Sequence, residues 1–179
     1  MLPTSDSPVP PYVDTRKVFQ QEGGMSGKLS LDRMPGLLQC LASDEGLVTI
    51  ELRFEVNDSR RRVIRGSLQA KLQVTCQRCL EALAIELQDD IELTLVKDQE
   101  AAEALDDKLE PWICEDHKLD IARLAEEQLM LCLPIVSYHP NPDCLARLNY
   151  KAPGLDAKAA ESEPKDNPFS VLKALKGND

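Results

Sequence analysis

The chain has 179 residues, enough for one ordinary domain with tails. Its 21 Lys and Arg against 31 Asp and Glu leave a net charge of −10, which excludes a protein that simply coats nucleic acid, because phosphate neutralisation needs cations. Residues 1–11 lack the basic stretch and apolar core of a secretory signal, and no apolar run approaches the roughly 20 residues that span a bilayer. A cytoplasmic protein with no membrane contact and with reduced thiols is expected, and its six unevenly spaced cysteines fit metal binding or burial better than a disulfide scaffold.

From the N-terminus, Asp14 to Gln21 and Arg33 to Ala42 read as short helices, the second carrying Leu37, Leu38 and Leu41. Three period-two runs follow. Val48, Ile50, Leu52, Phe54 and Val56 alternate with polar residues, as do Ile64, Gly66, Leu68, Ala70, Leu72 and Val74. The third run places Leu83, Ile85, Leu87, Ile91, Leu93 and Leu95 on one face, interrupted by Asp89. Such alternation predicts half-buried strands of an antiparallel meander.

Parity constrains the connections. The first two strands carry apolar residues at even numbers, so their partners sum to an even number. The third strand switches to odd numbers, which demands an even-length loop. A two-residue loop, Gln77-Arg78, would set Leu72 opposite Leu83, Leu68 opposite Leu87 and Cys76 opposite Cys79. A longer even loop satisfies parity as well, and Gln-Arg is not a favoured primed-turn pair.

Further on, Asp120 can cap a helix with Ile121, Leu124, Ala125, Leu129 and Cys132 on one stripe, stopped by Pro134. Residues 135–150 read as an irregular loop. The expected class is α+β: an antiparallel β-meander of at least three strands packed with a few helices. Residues 1–150 form its single domain, and 151–166, rich in Ala, Lys, Glu and Pro, a flexible, disordered linker. Residues 167–176 form a short peptide motif in which Asn167 caps an amphipathic helix with Phe169, Leu172 and Leu175 on one face. That face suits docking into a partner groove or onto its own domain.

Cys76-Gln77-Arg78-Cys79 carries the clearest chemistry. A Cys-x-x-Cys turn supplies two zinc ligands, and His139 with Cys144 can complete a Cys3His set. Packed free thiols are the competing reading. A redox pair fits poorly, because the first cysteine follows a strand rather than opening a helix. Cys40, Cys114 and Cys132 lie among apolar neighbours and read as core, and His117 beside Asp116 reads as surface. No nucleophile–base order, phosphate-binding glycine loop or His–carboxylate cluster points to an enzyme.

Charge is unevenly distributed. Arg53, Arg60, Arg61, Arg62, Arg65, Lys71 and Arg78 face only two acidic residues across 53–78, whereas 100–127 holds ten acidic residues against three basic. The basic set is a candidate surface for RNA or a partner; the plain alternative is a solvated strand face.

Val74-Thr75-Cys76-Gln77-Arg78-Cys79-Leu80 resembles the signature of the bacterial YceD proteins, the large ribosomal RNA subunit accumulation family. Leu133-Pro134-Ile135-Val136 with His139 and Cys144 after it, and the ending Asn167-Pro168-Phe169-Ser170-Val171-Leu172-Lys173-Ala174-Leu175, resemble the family in the same order. The resemblance implies a non-enzymatic cytosolic factor, without a small-molecule substrate, that supports 23S rRNA accumulation or processing and large-subunit assembly. Its partner would be rRNA, a large-subunit precursor or a basic ribosomal protein. The arginine-bearing sheet face would then meet rRNA or an rRNA-bound partner. The rival reading is an acidic adaptor or chaperone that grips a basic ribosomal protein and never touches RNA.

Overall fold

Three long strands form the centre of the computed structural model, which describes residues 8–148: β3 (Leu47–Val56), β4 (Arg62–Thr75) and β5 (Ala82–Val96). They run antiparallel in sequence order. The chain divides into two units, residues 1–141 and 142–179. Among the described residues, the first carries every strand and all four α-helices. The described part of the second is a 3-10 helix, Pro142–Leu148, in which Cys144 is buried. Phe169, Leu172 and Leu175, together with the expected linker and terminal peptide, lie outside the described residues.

Pairing between β3 and β4 follows the even-sum rule, with Ile50 opposite Leu68 and Phe54 opposite Ile64. The even residues of both strands form the buried face, where Leu52, Phe54, Ile64, Leu68 and Leu72 are nearly inaccessible. Phe54 meets Phe19 edge-to-face at 5.5 Å between ring centroids, a geometry that adds to the gain from area burial. Gly66 sits within this face because a Cβ there would lie 1.9 Å from the Glu51 carbonyl oxygen.

The β4–β5 pairing has the expected opposite parity, but the longer loop wins. Leu72 faces Ile85, Val74 faces Leu83 and Ala70 faces Leu87, so the register is displaced by two from the two-residue-loop alternative. The reason is local. In a primed turn Gln77 would have to hold a positive φ, and in type I′ Arg78 as well, whereas here the positive φ of the loop falls on Leu80, at 61°. A shift of two keeps the apolar residues on the core face, which is why parity alone could not distinguish the loops.

Four shorter strands lacked a legible alternation. In chain order they are β1 (Tyr12–Asp14), β2 (Gly24–Leu29), β6 (Glu110–Ile113) and β7 (Lys118–Asp120). β2 extends the main sheet beside β3, while β6 joins β5 in parallel, giving the order β2-β3-β4-β5-β6. The parallel pairing needs a long crossover, supplied by residues 97–109 with the short helix α3 (Gln99–Glu103). β1 and β7 form a separate antiparallel pair.

Helix α4 (Ile121–Cys132) closes the core. Asp120 accepts hydrogen bonds from the N–H groups of Ala122 and Arg123, at 3.0 and 3.2 Å, and Leu133 leaves the helix before Pro134. Ile121, Leu124, Ala125 and Leu129 are buried in the same cluster as the sheet residues. Helix α1 (Thr15–Gln20) is capped by Asp14. The segment expected to be helical from Arg33 to Ala42 is shorter: a 3-10 turn at Leu31–Arg33 precedes α2 (Pro35–Leu38). Pro35 takes its first position, where the missing N–H costs nothing, and Glu126 of α4 accepts from the N–H groups of Gly36 and Leu37. Cys114 is buried and Cys132 half-buried, but Cys40, expected in the core, is exposed beyond the end of this single turn.

Candidate metal centre

The Cys-x-x-Cys segment forms a closed knuckle at the end of the β4–β5 hairpin. Cys76 donates its N–H to the Glu81 carbonyl at 2.9 Å, and the Leu80 N–H returns to the Cys76 carbonyl at 2.8 Å. Both thiols are turned inward; Cys76 is wholly buried and Cys79 is 2% exposed.

The Cys76 sulfur is held in a cage of backbone N–H groups. Desolvation by burial pushes its pKa up, but N–H groups of Cys79, His139 and Arg78 and the Cys79 side chain outweigh that and lower it to about 5. The N–H cage thus favours the thiolate, which is the form that binds a metal. Cys114 and Cys132 behave oppositely. Burial raises both, with the nearby carboxylates of Asp116 and Asp89 adding to the effect.

His139 arrives from the loop after α4. Its Nε2 lies 3.2 Å from the Ala82 carbonyl oxygen, which can only accept, so Nε2 carries the proton. That leaves the Nδ1 lone pair facing Cys79 Sγ at 3.3 Å. A backbone carbonyl orienting the distal nitrogen is the usual outer-shell arrangement of a ligating histidine.

Within the first unit, the ligand atoms of Cys76, Cys79 and His139 all lie within 4.8 Å of one another. Adjacent sulfur and nitrogen ligands around tetrahedral zinc are about 3.6 Å apart, given bonds near 2.3 and 2.05 Å, so the 3.3 Å pair is already close to that separation. The donor set fits a closed structural site: sulfur and imidazole ligands, a thiolate stabilised before any cation arrives, and a fixed imidazole tautomer. Three ligands able to hold a metal, Cys76, Cys79 and His139, thus converge in the first unit.

The loop bearing His139 is bound to the two residues between the cysteines. Gln77 donates its backbone N–H to the Ser137 carbonyl at 2.9 Å and its side-chain amide to the Ile135 carbonyl at 3.2 Å. Arg78 donates Nη2 to the carbonyls of His139 and, at 3.5 Å, Asn141, while its guanidinium lies 5.1 Å from the centre of the Tyr138 ring. These contacts had no sequence signature beyond the donor-rich pair Gln-Arg, because they join residues about 60 positions apart.

The other cations of the candidate surface are elsewhere. Arg60 and Arg61 stand exposed at the β3–β4 turn, where Asn57 accepts the Arg60 N–H through its carbonyl and the Arg61 N–H through its side chain. Arg62 lies over the Phe19 ring at 5.7 Å. On the open sheet face Arg65 pairs with Glu55 and Glu92, at 2.5 and 2.8 Å, Lys71 with Glu86 at 2.9 Å, and Arg53 lies 3.6 Å from Glu51. Arg78 belongs to the opposite end of β4, at the knuckle.

No helix among the described residues is long and apolar enough to cross a membrane. No solved structure matches the chain. A curated protein of Haemophilus influenzae, named large ribosomal RNA subunit accumulation protein YceD, is 25% identical over 169 residues, covering 94% of this chain and 96% of that protein. The family described as large ribosomal RNA subunit accumulation protein YceD matches residues 64–176, from β4 through the knuckle and the His139 loop. With more than half of its length inside that match, the chain belongs to the YceD family.

Proposed function

We propose that this protein is a cytoplasmic, non-enzymatic factor that supports accumulation of large-subunit ribosomal RNA. The observation that carries the reading is the family match, which spans the knuckle and the loop packed on it. The described site has the character of a structural clamp: Cys76 and Cys79 are buried, and the half-buried His139 is oriented by the Ala82 carbonyl. Zinc is the ion whose softness and coordination number suit three thiolates and one imidazole, with Cys76, Cys79 and His139 as ligands and Cys144 as the fourth that the sequence offers. Bound there, it would tie the hairpin end to the post-helix loop.

For RNA contact the favoured residues are Arg60, Arg61 and Arg62, at the far end of the hairpin pair. Arg53, Arg65 and Lys71 have carboxylate neighbours on their own sheet face, which weakens their field toward a phosphate backbone. The test is complementation in a strain lacking the gene, reading 23S rRNA level and co-sedimentation with large-subunit precursors. Wild type is expected to restore both and Arg60→Gln/Arg61→Gln/Arg62→Gln to lose the co-sedimentation; a fully functional triple variant refutes the contact.

A second reading is favoured by the same ion pairs: an acidic adaptor that holds a basic ribosomal protein and leaves RNA untouched. Crosslinking in cells separates the two. Adducts to rRNA support direct contact, and adducts only to protein support the adaptor.

A further inference from the structure

We propose that Gln77 and Arg78 are positioning residues for the metal, which carry the loop 135–141 to the knuckle so that His139 reaches the ion through Nδ1. The inference rests on the zinc reading above and assigns to Arg78 a role in the metal centre. In a Cys-x-x-Cys turn the two middle residues need do no more than close the turn. Here both reach outward to a segment about 60 residues away and hold four of its carbonyls: those of Ile135, Ser137, His139 and Asn141.

The geometry makes the coupling direct. Arg78 grips the main chain of His139 itself, so the ligand's backbone and imidazole are located by neighbours in the same turn. The imidazole is then fixed from the other side by the Ala82 carbonyl, at the first residue of β5. The His139 N–H in turn reaches the Cys76 sulfur. Ligand, clamp and outer-shell acceptor all belong to residues 76–82 and 135–141, and the Arg78 guanidinium is additionally seated on Tyr138. From one nitrogen, Nη2, the planar guanidinium donates to two carbonyls while its flat face lies on the Tyr138 ring, and that stacking is what an ammonium cannot reproduce. Without the clamp the imidazole would have to be recruited from a loop free to sample other conformations, and the cost of ordering it would be charged to metal binding.

The experiment uses the full chain loaded with Zn2+ for affinity and for 15N-imidazole NMR, with Co2+ as an optical probe. The chain has two histidines, so His117 serves as the internal reference. Arg78→Ala is expected to weaken Zn2+ binding about 10- to 100-fold, the range for loss of an outer-shell partner, and to reduce the coordination shift of His139 Nδ1. Arg78→Lys should recover part of both, since an ammonium can donate to the carbonyls but has no flat face to seat on Tyr138. Gln77→Ala should have the smaller effect, because its backbone bond to Ser137 survives; it also tests the clamp if Arg78→Ala does not fold. Wild-type protein that binds neither Zn2+ nor Co2+ overturns the zinc reading and this inference with it. Wild type that binds, alongside variants with unchanged affinity and an unchanged His139 signal, overturns the positioning role alone.

Discussion

The two ends of strand β4 carry the two kinds of candidate residue, and they are built differently. With 14 residues, β4 separates them by about 43 Å. At one end, the turn Asn57–Arg61 is closed by its own first residue and sends Arg60 and Arg61 into solvent. At the other, the turn 76–81 closes on itself but also receives a second segment, which Gln77 and Arg78 hold through its carbonyls. A turn satisfied from within leaves its side chains free for an external partner. A turn that recruits a distant loop becomes part of the architecture. The contrast separates Arg60 and Arg61 from Arg78, although the three read alike as surface cations in a basic run.

The comparison is most severely tested at the knuckle. Cys79→Ser should bring the zinc content of untagged, metal-replete protein from about one ion per chain towards zero by elemental analysis. A wild-type content near zero would break the contrast outright. Next in size, chelation of the wild type should speed amide exchange in residues 76–81 and 135–141 and leave the β3–β4 turn unchanged; a uniform response along the chain would show that the two ends are not independent. At the other end, Asn57→Ala removes one side-chain hydrogen bond and should cost about 1 kcal/mol in denaturant unfolding, with metal content unaffected. Smallest in stability is Arg60→Gln/Arg61→Gln, expected within about 0.5 kcal/mol of wild type because the side chains are exposed. A large destabilisation there would mean that these arginines are structural after all.

Much of the fold was legible from pattern. The period-two runs became β3, β4 and β5, the Asp120 cap and Pro134 stop framed α4, and Asp14 opened α1. Legibility failed where an element has too few residues to show a period, as in β1, β2, β6 and β7, or where pairing depends on a crossover, as between β5 and β6. In the metal centre the four ligand types could be picked out by chemistry. The hydrogen bonds by which Gln77 and Arg78 hold the His139 loop to the knuckle could not.

The division follows from the range of the forces involved. Alternation, capping and proline stops act between residues a few positions apart, so the sequence alone determined that β3, β4 and β5 are strands, which face of each is buried and that the β4–β5 loop is even. Parity cannot separate registers that differ by two, since both bury the same face; the backbone angles of the knuckle decided that. Ion pairs such as Arg65 with Glu92, and the bond from Arg78 to the His139 carbonyl, join positions far apart in the chain. Only the tertiary structure could decide which cations are spent on partners of their own chain and which, like Arg60 and Arg61, remain turned toward solvent.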